Sequence, residues 1–70
     1  MQSVQYIIIG VTEENAEIIK LLISSELKGT GWLNVSRENG MWQYKKGNET
    51  RWLMHVANDK GLCNVALMEN

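Results

Sequence analysis

Residues 41–57, MWQYKKGNETRWLMHVA, decide the fold, because large apolar side chains recur there at every second position on both sides of a glycine-bearing turn. Alternation with a period of two is the pattern of a β-strand with one buried face. The alternating residues are Trp42, Tyr44, Trp52, Met54 and Val56. The sequence therefore predicts a β-hairpin with one aromatic face, which the rest of the chain covers or extends.

The turn before this hairpin sets its first pairing. Asn39-Gly40 is the strongest two-residue hairpin signal in the chain. It joins a strand over 32–37 to the strand over 41–46, and it sets Val35 opposite Tyr44. Leu33 and Val35 are therefore predicted to share the aromatic face.

The turn inside the hairpin gives a second pairing. A loop over 47–49 would set Lys46 opposite Thr50, and Tyr44 would then lie opposite Trp52. The two turns agree on one apolar face.

The last turn, 58–61, allows two pairings. A two-residue loop sets Val56 opposite Cys63 and turns Cys63, Val65 and Leu67 toward the apolar face. A type I turn with Gly61 as a bulge slips the pairing by one residue and reverses the faces of the last strand. We favour the first set of inward residues, because the alternative buries Asn64.

The chain before these strands predicts a strand over 4–9, VQYIII, and an amphipathic helix over 13–28. Thr12 is a suitable N-cap, and carboxylates in the first turn complement the helix dipole. The apolar stripe is predicted to contain Ala16, Ile18, Ile19, Leu22, Ile23 and Leu27, with Glu13, Glu17, Lys20, Ser24 and Lys28 on the opposite side.

The predicted fold is α+β, with one amphipathic helix packed on a five-stranded, mainly antiparallel sheet in the order β-α-β-β-β-β. It forms one domain over residues 1–70, since a chain this short has room for one core. The first strand lies either parallel beside the second, through a right-handed crossover, or antiparallel beside the fifth. The sequence leaves both placements open.

Composition argues against several functional classes. Seven basic and eight acidic residues give a net charge of −1, which lacks the basic excess of a duplex DNA binder. A single cysteine favours a reducing compartment, and no stretch resembles a signal peptide or membrane span. We expect a cytoplasmic protein with no membrane contact.

No motif for catalysis, cofactor or metal binding is recognised. His55 and Cys63 are the only histidine and cysteine. They are predicted to lie on opposite faces of the sheet, so they cannot form an activated thiolate pair, and they are too few for a structural zinc site. The sequence predicts no cofactor, no metal and no enzyme activity.

The sheet face away from the helix is the predicted working surface. Its proposed partner-binding residues are Trp32, Gln43, Lys45, Arg51, Leu53 and His55. A large exposed apolar patch is typical of an interface. The first hypothesis is a homo-oligomeric protein-interaction module, of the kind a phage or mobile element encodes to bind and block a host protein.

A second hypothesis is binding of single-stranded nucleic acid or a nucleotide. It depends on Lys45 and Arg51 near Trp32, because bases stack on aromatic rings while cations contact phosphates. Only Trp32 is predicted to lie on the basic side, and we therefore rank this hypothesis second.

Residues 31–35, GWLNV, follow a Tyr-bearing strand and a helix ending at Leu27. This arrangement over residues 4–36 resembles small strand-helix-strand domains of unknown function from bacteria and phages, which share a Gly-Trp-x-x-Val step after the helix. Leu33 stands where those domains commonly have an acidic residue, and the Trp hairpin has no counterpart in them. The resemblance implies the fold and a cytosolic domain able to oligomerise, and it transfers no active site.

Overall fold

The computed structural model describes residues 3–70. Its elements are β1 (Ser3–Val11), α1 (Glu13–Gly29), β2 (Leu33–Glu38), β3 (Met41–Lys46), β4 (Glu49–Ala57) and β5 (Cys63–Glu69). The sheet has the order β1-β5-β4-β3-β2 with every neighbouring pair antiparallel, and α1 packs on one face. The predicted α+β fold is confirmed, and β1 takes the antiparallel place beside β5.

The N-terminal end of α1 follows the predicted signal. Thr12 is the N-cap, and its hydroxyl oxygen accepts a hydrogen bond from the backbone N–H of Asn15 at 3.2 Å. At the other end, Gly31 has a φ of +96°, which glycine adopts without strain. The backbone N–H of Trp32 then donates to the carbonyl of Leu27 at 3.0 Å. This tight return carries Trp32 beneath the helix, where it is 4% exposed.

The turn between β2 and β3 has the predicted pairing, with Glu38 opposite Met41. Farther along β2 the register shifts at Val35, so that Asn34 and not Val35 opposes Tyr44. Leu33 pairs with Lys45, so its predicted placement on the Tyr44 face is wrong, and Val35, predicted opposite Tyr44, is the extra residue at the shift and is half exposed. One extra residue in a strand reverses the faces beyond it.

The turn between β3 and β4 is one residue shorter than predicted. Lys46 pairs with Glu49, and Gly47 takes a φ of +60° in a two-residue turn. A shift of one residue turns each side chain of a strand to the other face. Leu53 consequently lies under α1, and the predicted inward placement of Trp52, Met54 and Val56 is wrong.

The turn between β4 and β5 adopts the longer alternative, in which Ala57 pairs with Cys63 and Gly61 has a φ of +76°. Because β4 is already reversed, this second shift returns β5 to the favoured orientation. Cys63, Val65 and Leu67 are buried, as predicted.

The core lies between α1 and the inner face of the sheet. The buried apolar residues are Ala16, Ile23, Leu27, Trp32, Tyr44, Leu53, Cys63, Val65 and Leu67. Lys20 and Ser24 were expected on the solvent side of the helix but are also buried, and Ser24 accepts a 2.6 Å hydrogen bond from the Tyr44 hydroxyl. Ile18 and Leu22 are exposed instead. The stripe facing the sheet is thus rotated toward Lys20 and Ser24.

Candidate interaction surface

The side of the sheet turned away from α1 is an extended apolar surface, which we call the outer face. Leu53, Val65 and Leu67 are buried on the α1 side, and side chains alternate along a strand, so their sequence neighbours point the other way. The apolar residues of the outer face are Val4, Ile7, Leu33, Met41, Trp52, Met54, Val56, Ala66 and Met68. α1, the one helix within residues 3–70, leaves them uncovered.

Met54 lies at the centre of the outer face. It belongs to the middle strand of the sheet, between Met41 of β3 and Ala66 of β5. Ala66 in turn pairs with Ile7 of β1, which is 51% exposed. An uninterrupted apolar row therefore crosses four neighbouring strands.

Charged residues on the described outer face are confined to one side. Glu38 pairs with Met41, and Lys45 pairs with Thr50, which places these two charges at opposite ends of the β2–β3 hairpin. Glu38 lies on β2 and Lys45 on β3, so the outward-facing residues of β4, β5 and β1 are uncharged. An apolar, charge-depleted centre with polar groups at its margin is the usual anatomy of a protein–protein interface.

The structure divides the six predicted partner-binding residues between the two faces of the sheet. Gln43 and Lys45 lie on the outer face, as expected. The predicted outer placement of Trp32, Arg51, Leu53 and His55 is wrong. The one-residue shift of β4 turns Arg51, Leu53 and His55 to the helix side, and the turn after α1 buries Trp32.

His55 belongs to a polar cluster under the helix. Its Nδ1 lies 3.0 Å from the Lys20 ammonium and 3.6 Å from a Glu17 carboxylate oxygen, which is itself 3.2 Å from Lys20. An ammonium can only donate, so Nδ1 accepts and the ring proton sits on Nε2. Lys20 also lies 4.4 Å from the centre of the Trp42 ring. These contacts compensate the buried charge of Lys20.

His55 and Cys63 share the inner face, so their predicted placement on opposite faces is wrong. His55 pairs with Val65, and Cys63 pairs with Ala57 two residues along β4. The polar partner of the His55 Nδ1 is Lys20. The structure thus gives the imidazole a role in solvating a buried cation.

Arg51 lies at a cleft between the C-terminal half of α1 and β1. Its guanidinium stacks 4.4 Å from the centre of the Trp32 ring and approaches a Glu69 carboxylate oxygen at 3.4 Å. The cleft has a volume of about 220 Å³ and is lined by Gln5, Tyr6, Ile23, Glu26, Leu27, Thr30, Arg51 and Leu67. Ligand pockets typically enclose ~300–1,000 Å³. This cleft is smaller, and the outer face is the stronger candidate for function.

Tyr6 makes the cleft sensitive to alkaline pH. Burial raises the pKa of its phenol above the usual value, the Glu26 carboxylate raises the pKa further, and Arg51 lowers it. Because the pKa of Tyr6 is higher in the folded state, its contribution to the free energy of unfolding is fully present below the unfolded pKa of about 10. That contribution is lost as the pH rises through the folded pKa. Between pH of about 9 and 11 we expect the wild-type free energy of unfolding to fall more than that of Tyr6→Phe. Urea unfolding across this range measures the difference, and parallel profiles would contradict it.

Sequence reasoning missed the central outer-face residues Trp52 and Met54. The signal that would have found them is Gly47-Asn48, since Gly-Asn is itself a two-residue hairpin turn. Reading it as such sets Lys46 opposite Glu49 and turns Trp52 and Met54 away from Tyr44.

Comparisons of the chain with protein-family models, curated proteins and solved structures give no match. Within residues 3–70, no helix is long and apolar enough to cross a membrane. In the same part of the chain, no three histidine, cysteine, aspartate or glutamate side chains are grouped as metal ligands would be.

Proposed function

We propose that this protein is a non-enzymatic protein-interaction module that binds another protein chain through its outer face. The observation that carries the proposal is the apolar row centred on Met54, whose end residues Ile7 and Met41 are exposed and whose central residues Met54 and Ala66 are half-buried with no helix over them. Contiguous apolar patches of this kind usually mark interaction sites. A phage or mobile-element inhibitor that blocks a host protein is one such module, and the short chain without a recognised catalytic motif fits that role.

The nucleic-acid hypothesis receives less support from the same geometry. Trp32 is buried, and Arg51 stacks on it on the helix side of the sheet, whereas Lys45 lies on the outer face. The three groups are therefore not available on one surface to stack a base and contact its phosphate. Trp32 belongs to the core and Arg51 is held against it, which leaves Lys45 alone on the outer face.

Substitution of Met54 by lysine tests the proposal. The lysine places a charge at the centre of the outer face, where it would be desolvated in any complex, so we expect association through that face to weaken by about 30-fold or more. The association is measured as self-association of the purified protein and as quantitative capture of other proteins by immobilised wild type and variant.

Leu21→Lys is the matched control, since Leu21 is an exposed helix residue, 56% accessible, on the far side of the core from the sheet. The control is expected to retain every association of the wild type. If Met54→Lys and wild type associate equally with themselves and with captured proteins, the outer face is not the binding surface and the proposal fails.

A further inference from the structure

We infer that the chain covering the outer face is a second copy of this protein, in a two-fold pair packed outer face against outer face; this inference rests on the proposed function. Three features carry it: the area of the face, its uncharged centre and the positions of its two charges. Each follows from the strand pairings.

The area of the outer face matches the requirement of a small dimer. Five strands ~4.8 Å apart span about 24 Å, and six residues at ~3.4 Å each span about 20 Å. Six residues is the length of β2 and β3, the shortest strands. Each copy would bury about 500 Å² and the pair about 1,000 Å², which is where specific interfaces begin. Interfaces at this low end of the size range are typical of weak complexes, and we expect a dissociation constant in the micromolar range.

The centre of the face suits contact with its own copy. In a two-fold interface the same patch meets itself, so a central charge would lie near an identical charge. The central residues Trp52, Met54, Ala66 and Met68 carry none. Two sheets can pack in this way ~10 Å apart with their strands within ~30° of each other.

The two charges of the outer face are arranged to complement each other in such a pair. Glu38 lies beside Met41 at the turn end of the β2–β3 hairpin, and Lys45 lies beside Leu33 at the other end. A two-fold axis across the strands keeps each strand over its counterpart and exchanges the ends. Glu38 of one copy then lies over the end of the hairpin that carries Lys45 in the other copy, which joins opposite charges at the margin.

Sedimentation velocity of the purified full chain, up to high micromolar concentration, tests the inference. We expect wild type and Leu21→Lys to form dimers, and Met54→Lys and Ala66→Lys to dissociate about 30-fold or more readily. Ala66 pairs with Met54 and Ile7 in the same apolar row, so Ala66→Lys places the charge on a neighbouring strand and gives a second test if Met54→Lys fails to fold. Far-ultraviolet circular dichroism shows that each variant retains its structure.

Other outcomes separate this inference from the proposed function. A monomeric wild type that captures another protein in a manner abolished by Met54→Lys overturns the dimer and leaves the interaction module in place. A dimer unaffected by both folded outer-face variants overturns the inference, because the contact then lies elsewhere. A monomer with no Met54-dependent capture overturns both.

Discussion

Replacing Leu53 by alanine is expected to lower the free energy of unfolding by about 2–5 kcal/mol, the range for leucines truncated in a core. Leu53 is 0% exposed and lies on the middle strand of the sheet. A 70-residue domain has a total stability of about 4–10 kcal/mol, so this one change removes a large part of it. Urea unfolding followed by circular dichroism measures the loss as a lower midpoint.

Leu22→Ala is the matched control for Leu53→Ala. Leu22 is 66% exposed on α1, and alanine is a good helix former, so the expected change is within about 0.5 kcal/mol. The comparison also decides the face of Leu53. If Leu53→Ala were as stable as Leu22→Ala, Leu53 would not be a core residue, and its predicted place on the outer face would be correct.

Replacing Trp32 by alanine is expected to cost about 3–5 kcal/mol, the range for large aromatic side chains removed from a core. Trp32 is buried at the point where the chain leaves α1, and its ring supports the Arg51 guanidinium at 4.4 Å. The Nε atom of Arg51 is buried with no hydrogen-bond partner in the described structure. Loss of the ring would therefore leave a cavity and remove the surface against which a partly buried cation is held.

Leu33→Ala provides the comparison for Trp32→Ala at the adjacent position. Leu33 is 70% exposed, and we expect its truncation to change the midpoint of urea unfolding by far less than the Trp32 change. A Trp32→Ala variant that keeps wild-type stability but loses association would show that Trp32 is a contact residue and not a core residue.

The elements of the fold follow from short-range signals that need no tertiary information. The apolar periodicity of the helix, the Thr12 cap and the Asn39-Gly40 turn predict α1 and the first hairpin, and both elements are present, although the buried stripe of α1 is rotated from the predicted one. The place of β1 beside β5 depends on packing between distant segments. No local pattern in VQYIII distinguishes one sheet edge from the other.

The faces of the strands are harder to predict, because β4 is apolar on both sides. Leu53 on one face and Trp52, Met54 and Val56 on the other can all be buried, so hydrophobicity does not select the register. The turn does, and a turn of two residues or three reverses the strand. The predicted β3–β4 turn was one residue too long and the predicted β4–β5 turn one residue too short. The two errors cancelled, so the predicted face of β5 was correct. The sheet face away from the helix was therefore correctly expected to be uncovered. Four of the six residues proposed for it, Trp32, Arg51, Leu53 and His55, lie on the helix side instead.

The position of β5 constrains when this sheet can be completed. Of the five described strands, β5 is synthesised last, yet it lies between β1 and β4, and Gln5 and Glu69, 64 residues apart, share a hydrogen bond at one end of the β1–β5 pairing. On the ribosome, β2, β3 and β4 can form their hairpins as they emerge, whereas β1 has no partner until residues 63–69 follow. Closure across so many residues is slow. Throughout that interval the uncharged, β-branched segment of β1 is open to pairing with other chains, and this is where we expect aggregation during synthesis to begin.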